Sequence, residues 1–360
     1  MDLAIIDKAG LSEFISELLQ DEAEVIGVKE QRSLSGIPGD RGFYTYAPLN
    51  APDELDLSFD LTLIPPKKYL QPVFEELFSF NLPAGEFSQT GAPDRGQILF
   101  GVHPYDILAI NQMDKVFSAT PRDTHYLERR SRTAIIGIYP VNVASRAFWS
   151  SMGAHEVKTG FDLMLTDIGE RYTVETGSEM GAALLRKARG RDAGMAEKRE
   201  RDRVRARARK LCDSNRLSFP FLELPDLLKR NQDNPLWEEK SRLCFSCGTC
   251  NLVCPTCYCF DIRDGVSMDL KKGRRYRTWD GCLFADFAKV AGGANFRAHR
   301  ADRYRHRFLR KGLFIYERFG DIGCVGCGRC SIQCPSDIAD PVEVYNRLKE
   351  GIRSPLSVRT

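Results

Sequence analysis

The chain has 360 residues, enough for two domains with ordinary cores. Its 52 basic and 49 acidic residues nearly cancel, so overall charge nominates neither a nucleic acid nor a membrane, and 42% hydrophobic with 28% charged content excludes a disordered chain. Of its 12 cysteines none falls in the first 211 residues and 11 lie between Cys244 and Cys334, which excludes a uniformly disulfide-stapled secreted protein.

Residues 1 to about 180 alternate strand-like and helix-like segments. Ala23–Val28, Phe43–Tyr46 and Leu61–Ile64 read as short strands, the last stopped by Pro65-Pro66. Gln97–Val102 is a buried-strand candidate leading through His103-Pro104 into a helix over 106–117, where Ile107, Ile110, Met113 and Phe117 recur at helical spacing. Thr133–Tyr139 predicts another strand, and Phe161–Leu165 with Tyr172–Glu175 a hairpin. This pattern predicts an α+β or α/β domain over 1–185 without cysteines, suited to docking a partner. Residues 186–210 hold 12 Lys/Arg against 4 Asp/Glu with hardly an apolar face, so 186–215 reads as a solvated helix or linker. A helical, ferredoxin-like domain is expected over 216–349, opening with a helix near Pro225–Asn231, and a loose tail over 350–360. The first residues lack the pattern of a signal peptide and no run of 18 apolar residues occurs, so a cytoplasmic protein is expected.

The cysteines form an internal repeat. Cys244-Phe-Ser-Cys247-Gly-Thr-Cys250-Asn-Leu-Val-Cys254-Pro255 has the spacing C-x2-C-x2-C-x3-C-P, and Cys324-Val-Gly-Cys327-Gly-Arg-Cys330-Ser-Ile-Gln-Cys334-Pro335 repeats it. In bacterial ferredoxins this run grips a [4Fe–4S] cube with three thiolates, and the fourth cysteine ligates the other cluster. That rule predicts Cys244, Cys247, Cys250 and Cys334 on one cluster, and Cys324, Cys327, Cys330 and Cys254 on the other. Structural zinc sites pair their cysteines across a longer span. Gly248, Gly326 and Gly328 would let the backbone wrap close to the clusters. Cys257, Cys259 and Cys282 either form a third metal, cluster or redox site or pack as small buried hydrophobes, while the isolated Cys212 reads as structural.

A family likeness runs through these residues. Leu236-Trp237-Glu238-Glu239 through Cys254-Pro-Thr-Cys-Tyr-Cys-Phe260 resembles the iron–sulfur β subunit of cytoplasmic sulfhydrogenases and is similar to the electron-transfer subunit of anaerobic sulfite reductase. Arg277-Thr-Trp-Asp-Gly-Cys282, Val290-Ala-Gly-Gly-Ala-Asn-Phe-Arg297, Pro65-Pro-Lys-Lys68 and Phe100-Gly-Val-His-Pro-Tyr-Asp-Ile107 extend the likeness over most of the chain. The resemblance implies a relay subunit passing single electrons between a flavin subunit that handles NAD(P)H and a catalytic subunit, either a nickel–iron hydrogenase or a sirohaem sulfite reductase. In the sulfhydrogenase pattern cysteines stand at the position of Tyr105 and within 141–151; here those positions hold none, so the N-terminal metal site that the pattern implies is expected to be absent.

No phosphate- or dinucleotide-binding glycine loop precedes a helix, so the chain is expected to bind neither flavin nor NAD(P) itself. His103 reads as structural. Basic residues concentrate in 186–210, 271–277 and 297–311, leaving the remainder clearly acidic. They read as charges offsetting anionic clusters or facing a partner. The competing reading is an iron–sulfur nucleic-acid-binding protein with Tyr276, Tyr304 and Phe308 as stacking residues.

Overall fold

The computed structural model describes residues 3–31, 42–91 and 95–351. Its larger sheet has eight strands in the order β10-β1-β9-β8-β7-β6-β2-β3. The strands are β1 (Leu3–Asp7), β2 (Glu24–Gln31), β3 (Phe43–Pro48), β6 (Gln97–Val102), β7 (Thr133–Ile138), β8 (Leu163–Asp167), β9 (Arg171–Thr176) and β10 (Arg191–Asp192). The central β2, β6, β7 and β8 run parallel, while β3, β9 and β10 add antiparallel neighbours. β6 and β7 are buried nearly throughout, as strands covered on both faces should be.

Helices pack on this sheet. Helix α1 (Lys8–Gln20) starts where the Asp7 carboxylate accepts from the Gly10 N–H at 2.8 Å. Helix α2 (Pro104–Ser118) takes Pro104 into its first turn and buries Ile107, Ile110, Met113 and Phe117. Helices α3 (Thr124–Ser131) and α4 (Glu179–Lys187) follow. The basic segment forms an 18-residue helix, α5 (Met195–Cys212), which is docked: Arg201 and Arg205 both reach Glu175 on β9, and Ala208 and Cys212 point inward.

A second, four-stranded sheet knits the two halves of the chain together. β4 (Phe74–Asn81) and β5 (Glu86–Gln89) pair with the hairpin β11 (Phe260–Val266) and β12 (Lys272–Trp279) in the order β11-β12-β4-β5. Arg277 on β12 lies opposite Glu75 on β4, donates to it at 2.6 Å and also pairs with Asp123, while Arg129 reaches the same carboxylate at 2.6 Å. Burial alone would raise the Glu75 carboxyl, but Arg129 and Arg277 hold it below its ordinary value. Much of the basic run 271–277 therefore serves the sheet.

The remaining helices are α6 (Leu224–Arg230), α7 (Leu236–Ser241), α8 (Thr249–Leu252), α9 (Arg300–Leu309), α10 (Ile315–Phe319), α11 (Arg329–Ile332) and α12 (Pro341–Glu350), with one π turn over Arg310–Phe314. Their core takes Trp237, Tyr304, Phe308 and Tyr345 together with Tyr105, Phe148 and Trp149 from the first half. Tyr304 and Phe308 are thus walled in and cannot stack on bases, and Tyr276 stacks on Phe74. The expected strand at 61–64 reduces to a single bridge between Tyr44 and Thr62, because Pro66 opens a 3-10 turn at once. From residue 352 the expected tail lies outside the described residues. Among the described residues no helix is long and apolar enough to cross a membrane.

Candidate functional site

The two cysteine motifs fold alike. After α7 the chain turns through Ser246 (φ 54°) and Gly248 (φ 73°) into the single turn of α8, which carries Cys250. In the second motif Gly326 (φ 69°) and Gly328 (φ 83°) turn the chain into the single turn of α11, which carries Cys330. Such backbone reversals close to the cysteines are the work expected of these glycines. Helices α8 and α11 pack against each other, so motifs 80 residues apart in sequence share one interior.

All 12 cysteines are free thiols. Burial pushes Cys250 and Cys324 up to about 12, so these thiols keep their protons until a cation takes the proton's place. Cys250 lies within electrostatic reach of Cys330, Cys282 and Cys244. Cys254 acts on Cys324, Cys327 and Cys330 alike, although it belongs to the first motif. A hydrogen bond from Cys257 holds Cys254 itself well below the usual thiol range. Cys247 is exposed, whereas Cys244, Cys327 and Cys330 are buried. The isolated Cys212 is buried beside Ser150 and Trp149, and burial raises it to about 11, as expected of a structural thiol.

Buried cations surround these thiols. Arg303, Arg307 and Lys311 follow one another at four-residue spacing along α9 and its π extension, and all three turn inward. Their partners include neutral oxygens: Arg307 Nη2 donates to the Cys250 carbonyl at 3.5 Å and Lys311 Nζ to Thr256 Oγ1 at 2.7 Å. Arg307 also hydrogen-bonds the Cys330 thiol, and its Nε has no partner. Lys67, from the first half, donates to the Cys257 carbonyl at 2.7 Å and sits 4.1 Å over the Trp279 ring. Burial brings Lys67 down to about 8; in Lys311 the neighbouring Cys254 and Cys257 outweigh burial and raise the ammonium. Buried cations of this kind need a nearby anion. Loops, thiols and cations together fit an anionic iron–sulfur body. Among the described residues no three Cys, His, Asp or Glu side chains converge as one bound ion requires; a cubane instead takes thiolates spread over its corners.

Cys257, Cys259 and Cys282 line one cavity of about 250 Å³, together with Asp280, His306, Arg297, Arg307 and Lys311. Around it Asn251 Oδ1, Arg297 Nε and Arg307 Nε are buried without hydrogen-bond partners. Asn251 Nδ2 donates toward the Cys282 and Cys257 sulfurs at 3.4 and 3.6 Å.

The second motif is bolted to the first half of the chain. Arg329, 0% exposed, forks onto both Asp106 oxygens at 2.6 and 2.7 Å and reaches Thr62 through its carbonyl and hydroxyl. Phe148 N–H donates to the Gly326 carbonyl at 2.8 Å, and the backbone of 146–149 covers both glycines. Tyr105 lies against Arg329, and its hydroxyl is 2.5 Å from His103 Nδ1. His103 stacks on Phe59 and burial keeps its ring neutral, a structural role. Tyr105 and the segment 146–149 thus form the cover of the second motif.

Sequence reasoning missed Lys67, Asp106 and the pairing of Arg329. The four-residue spacing of Arg303, Arg307 and Lys311 was a readable signal for an inward basic stripe.

Comparison with known proteins supplies the family. The profile of the 4Fe-4S dicluster domain matches residues 243–338. The chain is 32% identical over 314 residues, 86% of its own length and 90% of the relative's, to "Sulfhydrogenase 2 subunit beta" of Pyrococcus furiosus. No solved structure matches. A mixed N-terminal sheet joined to a dicluster domain, at this identity over nearly the whole chain, has one reading: the chain belongs to the family of iron–sulfur β subunits of sulfhydrogenases.

Proposed function

We propose that this chain is a non-catalytic electron-transfer subunit that relays single electrons between a flavin subunit handling NAD(P)H and a catalytic partner, a nickel–iron hydrogenase in preference to a sulfite reductase, in a cytoplasmic complex. The observation that carries the reading is the pair of like-folded cysteine loops held against each other inside a shell of buried cations. In this proposal residues 216–349 act as a ferredoxin-type unit. Cys244, Cys247, Cys250 and Cys334 hold one [4Fe–4S] cluster, and Cys324, Cys327, Cys330 and Cys254 hold the other. The reach of Cys254 to all three thiols of the second motif supports this crossing. Cys257, Cys259 and Cys282 either hold a third group in the cavity they line, which the orphaned polar atoms around it favour, or pack there as small buried hydrophobes.

Each cluster, when bound, cycles by one electron. The protein's part is to exclude water, fix the thiolates and set the local charge. Arg307 and Lys311 offset the negative charge of the bound groups, and Gly248 and Gly328 bring backbone close to them. Anaerobic purification from the native host, with iron counted and bound subunits identified, tests the reading. About eight iron atoms per chain and a copurifying flavoprotein are expected for two clusters, and about twelve with a third. Full iron and full complex activity in Cys250→Ala or Cys327→Ala would refute the ligand assignment, and salt-sensitive DNA or RNA binding without a redox partner would favour the nucleic-acid reading.

A further inference from the structure

The first motif keeps an exposed edge that makes a surface of its own. Around the exposed Cys247, Leu243 is 64% exposed, Phe245 73% and Phe296 76%, large apolar side chains that a lone soluble chain has no reason to gather. They belong to one patch. Arg303 Nη2 donates to Ser246 Oγ at 3.2 Å, between Cys244 and Cys247, while its Nη1 donates to the carbonyls of Arg297 at 3.0 Å and Ala298 at 2.6 Å. The same guanidinium therefore clasps the loop carrying Phe296 against the first motif. Phe284, from the start of that loop, lies over Gly248.

The rim is basic. Arg300 donates to the Arg242 carbonyl at 3.2 Å, which sets both exposed arginines beside Leu243. The neighbouring acid Glu238 reaches Arg242 only at 4.0 Å. An apolar centre with a cationic rim is complementary to an apolar patch rimmed by carboxylates. The second motif is closed off by residues 146–149, so the Cys247 side is where the cysteine core comes nearest to solvent.

We propose that the Cys247 face is the port through which this protein exchanges electrons with an acidic redox protein, whose own one-electron centre lies behind a carboxylate-rimmed apolar patch. The proposal rests on the relay reading above and adds the place and charge of the contact. Phe245 and Phe296 anchor the partner; Arg242 and Arg300 steer it and fix its orientation.

The probe is a plant-type [2Fe–2S] ferredoxin, a small acidic one-electron protein, used with the anaerobically purified full chain. Its Kd at low salt and its electron-exchange rate by stopped flow are compared among the wild type, Phe245→Ser, the Arg242→Glu/Arg300→Glu pair, and a control pair, Lys271→Glu/Lys272→Glu, on the exposed hairpin. Expected are a loss of affinity and rate of about tenfold or more in both face variants, a weakening with added salt, and no change in the control pair or in iron content. Equal binding by wild type and face variants, or a loss confined to the hairpin pair, overturns the proposal. So does a dimer in sedimentation that Phe245→Ser dissolves, which would give the patch to a second copy of this chain. Clusters that dithionite cannot reduce would defeat the relay reading itself, a result separate from the binding comparison.

Discussion

Two loops of the same cysteine spacing meet different surroundings. The Cys324–Cys330 loop is pressed under the backbone of 146–149, whereas the Cys244–Cys250 loop is met by Phe284, Arg303 and Arg307 and leaves Phe245 and Cys247 exposed. The difference is written at one position. Where the second motif has Gly326, a Cβ would sit 2.7 Å from the Trp149 backbone; where the first has Ser246, the same positive-φ conformation carries a side chain, whose hydroxyl accepts from the Arg303 guanidinium at 3.2 Å. A ferredoxin-type motif specifies its own turn, but the neighbouring half of the chain decides whether that turn is sheltered.

The largest expected effect tests this directly. Gly326→Ala puts a methyl group into backbone atoms at a positive φ, and should cost about 3 kcal/mol or more, with loss of iron from the second motif. Ser246→Gly relieves the strained φ while giving up the Arg303 bond, and should stay within about 0.5 kcal/mol of wild type. Thermal unfolding with iron analysis reads both. Equal effects would mean that the cover is not what distinguishes the loops.

Asp106→Asn comes next. It leaves the fully buried Arg329 guanidinium without its carboxylate, and a loss of about 3 kcal/mol is expected by denaturant unfolding. An Asp106→Asn protein as stable as wild type would show that the bolt does not hold the cover. Smaller again is Glu75→Gln in the joint between the halves, at about 2–3 kcal/mol, since Asp123 still faces Arg277. The sign with pH follows from the lowered Glu75 carboxyl. Its contribution is complete above the ordinary carboxylate value and is lost as pH falls through the folded one. The wild type should therefore lose its advantage over Glu75→Gln in acid, and an advantage growing in acid would contradict the assignment. The mildest test is kinetic. Under limited oxygen or a chelator, the EPR signal of the group held by the first motif should decay before that of the second, because Cys247 is exposed and Cys327 and Cys330 are not.

What could be read beforehand was local. The cysteine spacing, helix α2 and the hairpin of β8 and β9 depend on residues close in sequence, and their periodicity or turn chemistry is on view. β4 was not legible as part of a sheet, because its partner β12 lies about 200 residues downstream and no local pattern announces it. The predicted strand at 61–64 failed because two prolines follow at once and leave a single bridge. At the site, the thiols could be named from spacing, whereas nothing local marks Arg329 and Asp106 as partners. Only the tertiary fold brings them together.

The shared four-stranded sheet has a consequence for how the protein is made. Glu75 leaves the ribosome 202 residues ahead of Arg277, its partner across the sheet. At about 5–20 residues per second, β4 waits roughly 10 to 40 s with an unpaired edge and three charged side chains lacking their fourth. For that interval the nascent chain carries a sticky strand that only its own later sequence can cover. The second half, synthesised alone, would bring a hairpin with the matching bare edge. Biogenesis of this protein therefore demands protection of the strand until translation is well past residue 279, and separately expressed halves should aggregate unless made together.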